Sequence, residues 1–369
     1  MSFSKLLLAA GAASLLLVTA AVAADADDSR VNLRDHGALC NGSHDDTNAF
    51  KKAVTATKPG GILRVPVGNC NLSDTIVIDK PMTLAGAGLG SQIYGRTSKS
   101  LFQLAAVNGA VIRDLYLGSS SNNPGVALLQ FVNSHHNRVE NITMLGGYYG
   151  VHLFGSLLNT FVDLRTGVNF NSGKSAFFGQ TPINQTWVYA ERDHSKKISS
   201  NANTFFTPAL EGGTNGININ DFPDPSCGGC ARNGEGSLNI VGGAIEGVSG
   251  VGLTIDSTFL PISVTGVHME ANGTDILINQ AVNVRIASIL SSGGPGGSGP
   301  NGVRVQGALT RNIQFSDSII QQMIVDTSVK RFQLQNITTD LQCTNSGGIS
   351  PAAPWDASVI FTNVGLNCT

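Results

Sequence analysis

Charge is scarce in this chain and has no excess of one sign: Asp, Glu, Lys and Arg make up 13% of 369 residues, and the formal net charge is −2. Binding a polyanion needs a basic face that displaces counterions, so nucleic acid is excluded as the expected partner, while a neutral or weakly acidic glycan is compatible. Long apolar runs are missing beyond the N-terminus. The one such run, Leu6 to Val22, follows Lys5 and ends in Ala21-Val22-Ala23 ahead of Asp25. That is the layout of a secretory signal, Ala-rich and short for a spanning helix, with no second stretch of about 18 apolar residues after it. Residues 1–24 are read as signal peptide and 25–369 as one domain, secreted or periplasmic and without a membrane segment once the signal is removed.

Cysteine chemistry other than disulfide formation is also poorly supported. The six residues Cys40, Cys70, Cys227, Cys230, Cys343 and Cys368 are an even count in an exported chain, and their clustering suggests the local pairs 40–70, 227–230 and 343–368. Cys227-Gly-Gly-Cys230 has redox or zinc half-site spacing, but no second CxxC or His pair completes a zinc site and no βαβ pattern surrounds it. No metal is expected.

What the chain has in plenty is Gly, at 44 residues, with Asn, Ser, Thr, Val and Ile around it, the makings of many short strands joined by tight turns. A repeat follows from alignment. NTFFTPALEGGTNGININ from Asn203, NIVGGAIEGVSGVGLTID from Asn239 and SVTGVHMEANGTDILIN from Ser263 each read as an alternating strand, a Glu with a Gly-rich turn, and a second alternating strand. Segments from Asn283, Asn312 and Arg331 continue with looser turns, and segments from Ala110 and Asn137 fit upstream. The spacing is too short for a propeller blade and has no helical period; it suits coils of a parallel β-helix, whose ends must be capped. Asp45-Asp46-Thr47 opens NAFKKAV, where Ala49, Phe50, Ala53 and Val54 share a helical stripe and the acids are placed to cap it, so residues 31–60 form the expected N-terminal cap. Residues 170–200 and 221–236 break the rhythm and read as loop excursions, where binding usually sits.

VNLRDHGALCNGSHDDTNAFKKAV resembles the opening motif of the pectate-lyase-like superfamily, and GGILRVPVGNCNLSDTIVIDKPMTLAGAG is similar to the segment that follows it there. The likeness covers residues 31–95; His36 stands where an aromatic is usual, and Val67-Gly68 replaces the common Pro-Gly. The resemblance implies an all-β fold, a single-stranded right-handed parallel β-helix solenoid with a short N-terminal cap helix. It does not imply one activity, since the superfamily includes lyases, hydrolases, epimerases, tailspikes and non-catalytic adhesins. The polygalacturonase set, the Asp-Pro-His-Glu of alginate epimerases and the Arg-x-Pro-x-x-Arg of calcium-dependent pectate lyases are absent.

The residues with most chemical promise are glutamates that recur at one register, Glu211, Glu246 and Glu270. Each follows an inward apolar residue (Leu210, Ile245, Met269), so alternation turns all three outward onto one wall of stacked coils. Crowded carboxylates raise at least one pKa, as a general acid requires, and His268 is expected on the same face to orient Glu270 or shuttle a proton. The competing reading is that these are solvated residues that keep the solenoid soluble. Trp187 and Tyr189 are candidates for sugar stacking, with core packing as the alternative, and Arg192 and Lys196 for a uronate carboxylate; Asp221 is a weaker polar candidate. The Tyr148–His152 pair reads as structural. The expected activity is hydrolysis of a polysaccharide without a cofactor. A uronate lyase, with calcium an option there, and a non-catalytic glycan-binding protein are the alternatives, and a homo-trimer like those of tailspikes stays open.

Overall fold

One residue per corner in the left-handed backbone region turns these short strands into coils. Thr207, Gly242, Gly266 and Ser288 have φ of 48°, 68°, 70° and 53°. They sit at the same corner of four successive coils, each donating its backbone N–H to a carbonyl one coil further on. Glycine takes this conformation without steric penalty, which accounts for the Gly-rich turns of the repeat. Gly243 is needed for a second reason: a Cβ there would meet the Pro208 carbonyl oxygen at 2.2 Å.

The structure is a computed structural model that describes residues 29–121, 123–166, 168–169, 174–175, 186–220, 236–292, 302–326, 328–339 and 360–366. Each coil contributes strands to three faces, and every pairing between coils is parallel, as in Leu238–Val241, Ala244–Glu246 and Val251–Asp256 against Ile262–Thr265, His268–Glu270 and Thr274–Asn279. Two faces merge into one 20-stranded sheet through long strands such as Val111–Ser119 and Arg311–Ile320; the third is a ten-stranded sheet. The fold is thus the expected all-β right-handed parallel β-helix. The repeat differs from its sequence reading in one respect. Each unit has three strands, because the glutamate ends a three-residue strand of its own between two corners.

Stacking supplies the core. Leu63, Leu84, Ile112, Val139, Phe161, Phe205, Ile240, Val264, Ile286, Phe315 and Leu334 form one unbroken inward ladder, all essentially solvent-free. Phe161 and Phe205 stack face to face at 4.5 Å. A buried amide ladder runs beside them, with Asn137 Nδ2 donating to Asn159 Oδ1 and Asn159 Nδ2 to Asn203 Oδ1, both at 3.0 Å. Each buried amide thereby satisfies its neighbour, which keeps polar corners affordable inside the solenoid.

The helix Thr47–Ala56 covers the N-terminal end, burying Ala49, Phe50, Ala53 and Val54. Its two acids divide the work. Asp45 Oδ1 accepts from the Thr47 N–H at 3.0 Å, whereas Asp46 makes no side-chain cap bond and instead accepts from the backbone of Leu39 and Cys40 inside the preceding loop. The disulfide Cys40–Cys70 ties that loop to the next coil. Cys227, Cys230, Cys343 and Cys368, Asp221 and residues 1–24 lie outside the described residues. The stretch 170–200 is not wholly a loop: Thr186–Glu191 is a regular strand of the ten-stranded sheet. No helix among the described residues is long and apolar enough to cross a membrane.

Candidate functional site

Strand register brings the three glutamates together. Glu211 pairs with Glu246 and Glu246 with Glu270 on consecutive rungs, while Leu210, Ile245 and Met269 point into the core with no exposure. Rungs of a sheet are about 4.8 Å apart, so the carboxyls form a short outward wall. His268, one strand position from Met269, joins it. Its Nδ1 lies 2.9 Å from Glu246 Oε1 and its Nε2 3.6 Å from Glu270 Oε2. Glu246, His268 and Glu270 each bring one ligand atom to within 4.8 Å of the others. One imidazole nitrogen and two carboxylate oxygens could also serve a divalent cation. Cys40, Cys70 and Asp46 are equally close, but the disulfide removes both thiolates as ligands.

Glu211 lies in a partly desolvated position. Desolvation, and secondarily the Glu246 charge one rung away, push its carboxyl up to about 7. A group with that pKa is protonated in a large fraction of molecules at neutral pH and can give up its proton there. Thr166 anchors the rung, its Oγ1 accepting the Glu211 backbone N–H at 2.9 Å.

The remaining candidates separate by burial. Trp187 is not a sugar platform, because its side chain and that of Val188 are both buried; the indole N–H donates to the Gly212 carbonyl at 2.8 Å. Arg192 turns its guanidinium back on its own loop, onto Ser199 Oγ and the Lys197 carbonyl. Lys196 is exposed in the turn organised by Asp193. Neither residue has a described contact with the glutamate wall. Tyr189 faces outward on the ten-stranded sheet, a different face from the glutamates.

A second cluster surrounds Tyr189, and the sequence reading missed it by treating Tyr148 and His152 as an isolated pair. Tyr189 stacks on Tyr149 at 4.7 Å and 7°. Glu191 Oε1 lies 2.7 Å from His152 Nε2, and the Tyr189 hydroxyl lies beside Glu191 and Asn220. Burial raises both phenols above their usual range, with the neighbouring Glu191 adding to the effect on Tyr189. These phenols therefore remain protonated donors at neutral pH. His152 is buried, and its Nδ1 has no hydrogen-bond partner. The signal lay in the register: Tyr149-Gly-Val-His152-Leu-Phe154 aligns with Thr186-Trp-Val-Tyr189-Ala-Glu191 as adjacent rungs.

Comparison with known proteins gives a consistent architecture. A family described as "Rhamnogalacturonase A/epimerase, pectate lyase-like" matches residues 30–144. No curated protein matches the sequence. Among solved structures, the enzymatically active domain of bacteriophage CBA120 tailspike protein 2 is similar at 14% identity and TM-score 0.56, covering 90% of this chain and 52% of that one. PfbA, a surface adhesin of Streptococcus pneumoniae, is similar at 12% identity and TM-score 0.54, covering 92% of both chains. The A-module of the Azotobacter vinelandii mannuronan C-5 epimerase AlgE6 is similar at 13% identity and TM-score 0.52, covering 92% of this chain and all of the other. Identities this low speak to fold alone. The family match covers less than a third of the chain, its N-terminal segment, and together with the parallel three-faced solenoid it makes the chain similar in architecture to pectate-lyase-like proteins.

Proposed function

We propose that the protein hydrolyses glycosidic bonds of a polysaccharide at the glutamate wall, with Glu211 as general acid and base and Glu246 as nucleophile. The observation that carries this is the Glu211 carboxyl pushed up to about 7 one rung from Glu246, which in turn is held by His268. A carboxyl that keeps its proton near neutral pH beside a second carboxyl is what the acid role requires. The two glutamates stand on adjacent rungs whose backbones repeat about every 4.8 Å, and the retaining scheme, with carboxyls roughly 5–5.5 Å apart, is the one proposed. In the first step a Glu246 oxygen bonds to the anomeric carbon while the leaving oxygen takes the Glu211 proton. In the second, Glu211 removes a proton from water as that water displaces Glu246. His268 holds the Glu246 carboxylate in place through Nδ1, with its other ring nitrogen toward Glu270. The fold's neighbours include a tailspike domain, an epimerase module and an adhesin, so a glycan is the natural ligand class to test.

A second reading is β-elimination on a uronate at the Tyr149, His152, Tyr189 and Glu191 cluster. The Tyr189–Glu191–His152 chain favours it by supplying a protonated phenol as acid. Its weakness is the base, because His152 is buried against Glu191. Incubating the secreted form with a panel of plant and bacterial polysaccharides decides. New reducing ends without ultraviolet absorbance of an unsaturated uronate, abolished in Glu246→Gln, support hydrolysis. Absorbance that survives Glu246→Gln and vanishes in Tyr189→Phe supports elimination. No product from any substrate sinks both.

A further inference from the structure

A cleft of about 830 Å³ opens at the N-terminal end of the ten-stranded sheet, on a different face from the glutamate wall. Its floor is made by the outward residues of three consecutive rungs, Val77, Gln103 and Gln130, and its wall by the cap helix through Lys51 and Thr55. That volume lies within the roughly 300–1,000 Å³ usual for small-ligand sites. The floor offers an amide pair, Gln103 Nε2 donating to Gln130 Oε1 at 3.2 Å, beside an exposed valine. Rungs repeat about every 4.8 Å, close to the length of one pyranose unit, so successive sugars would meet successive rungs. The amides supply both donors and acceptors for hydroxyl groups.

The charges are specific. Lys51, Lys80 and Lys99 line the cleft against Asp74 and Asp79, a positive excess in a chain that is negative overall. Asp74 clamps two of the ammoniums, Lys51 at 2.5 Å and Lys99 at 2.8 Å, and those two lysines hold its carboxyl far below the usual range. Each ammonium has three N–H donors, and one contact to Asp74 leaves the others available toward the cleft. Two ammoniums fixed by a shared carboxylate are preorganised for a second carboxylate.

We infer that this cleft is a binding site for an acidic saccharide, a uronate-bearing unit whose carboxylate sits between Lys51 and Lys99 and whose hydroxyls meet Gln103 and Gln130. The inference does not depend on hydrolysis at the glutamate wall. The test is calorimetric titration of the full secreted chain, in the Glu246→Gln background so that no substrate is consumed, with a uronate tetramer and with the same tetramer methyl-esterified. Expected are binding of the acid form that weakens with salt, little binding of the ester, and a roughly ten-fold or larger loss in Lys51→Gln/Lys99→Gln with the thermal midpoint checked. Equal binding of ester and acid overturns the inference, as does unchanged affinity in the folded double-lysine variant or no binding of the tetramer. Free acetate displacing the tetramer at equal concentration would reduce the cleft to a simple anion site and overturn it too. Activity at the glutamate wall is read separately by reducing ends, so either conclusion can fail without the other.

Discussion

Two faces of this solenoid share a histidine paired with a glutamate on a neighbouring rung, in opposite conditions. On the glutamate wall, His268 is 39% exposed and lies between two carboxylates, with a third carboxyl, Glu211, one rung away and titrating near neutrality. In the aromatic cluster the His152 side chain is 8% exposed, and Glu191 serves both that histidine and Tyr189. A proton-transfer site needs a group that can change its protonation state in contact with solvent and substrate. The wall has one; the cluster has bound its groups to each other. Identical residue types therefore point to chemistry on one face and to architecture or recognition on the other, and burial makes the difference.

The largest expected effect is on catalysis. Glu246→Gln removes the nucleophile and should lower kcat by about 10³-fold or more, while Glu191→Gln should leave kcat within a few-fold, both followed by reducing-end release. Comparable losses in the two variants would erase the distinction between the faces. The pH dependence sharpens it further. Glu211 acts in its protonated form, so the rate is expected to fall as pH rises through about 7. Stability runs the same way. The folded-state pKa is raised above the value near 4.5 of an unperturbed glutamate, so the native state binds more protons than the unfolded state across that interval. The stabilisation from holding that proton is complete below about 4.5 and is lost as pH rises through 7. Denaturant midpoints measured from pH 4.5 to 7.5 should show that slope, and Glu211→Gln should flatten it.

A stability comparison of the two histidines comes next. His152→Ala leaves a cavity and strips Glu191 of a close partner, at an expected cost of about 2–3 kcal/mol by urea denaturation. His268→Ala removes a partly exposed side chain from a solvent-facing wall and should cost under about 1 kcal/mol, with its effect appearing in kcat instead. Equal destabilisation would mean that the wall is as structural as the cluster.

How much of this was legible depended on whether a feature repeats locally. Glu211, Glu246 and Glu270 recur behind an apolar residue and ahead of a turn, so alternation alone set them on one side, and the described register pairs them. The short strand that carries each, such as Ala244–Glu246, was hidden because three residues cannot display an alternating period. The cap helix was visible from one apolar stripe, but which acid caps it depended on the loop through Leu39 and Cys40, a tertiary contact that spacing does not encode. Trp187 resembled a surface aromatic because the surrounding stretch interrupts the repeat; its burial together with Val188 departs from the two-residue alternation of a half-buried strand. His152 and Glu191 are 39 residues apart, and only the register of adjacent rungs shows that they touch.

The smallest effect tests the cluster from within. Tyr189→Phe keeps the ring stacked on Tyr149 and removes only the hydroxyl beside Glu191 and Asn220. The expected loss is about 1 kcal/mol of stability, the usual net worth of a hydrogen bond at a partly buried site, with kcat at the glutamate wall unchanged. If KM for a long polysaccharide rises while KM for a short one does not, the tyrosine pair contributes to holding chain that extends beyond the reacting sugar. If both constants stay fixed and only the denaturation midpoint moves, the hydroxyl serves the fold alone. A fall in kcat of the size expected for Glu246→Gln would reverse the assignment of the two faces, because a phenol that stays protonated at neutral pH would then be the acid of the reaction.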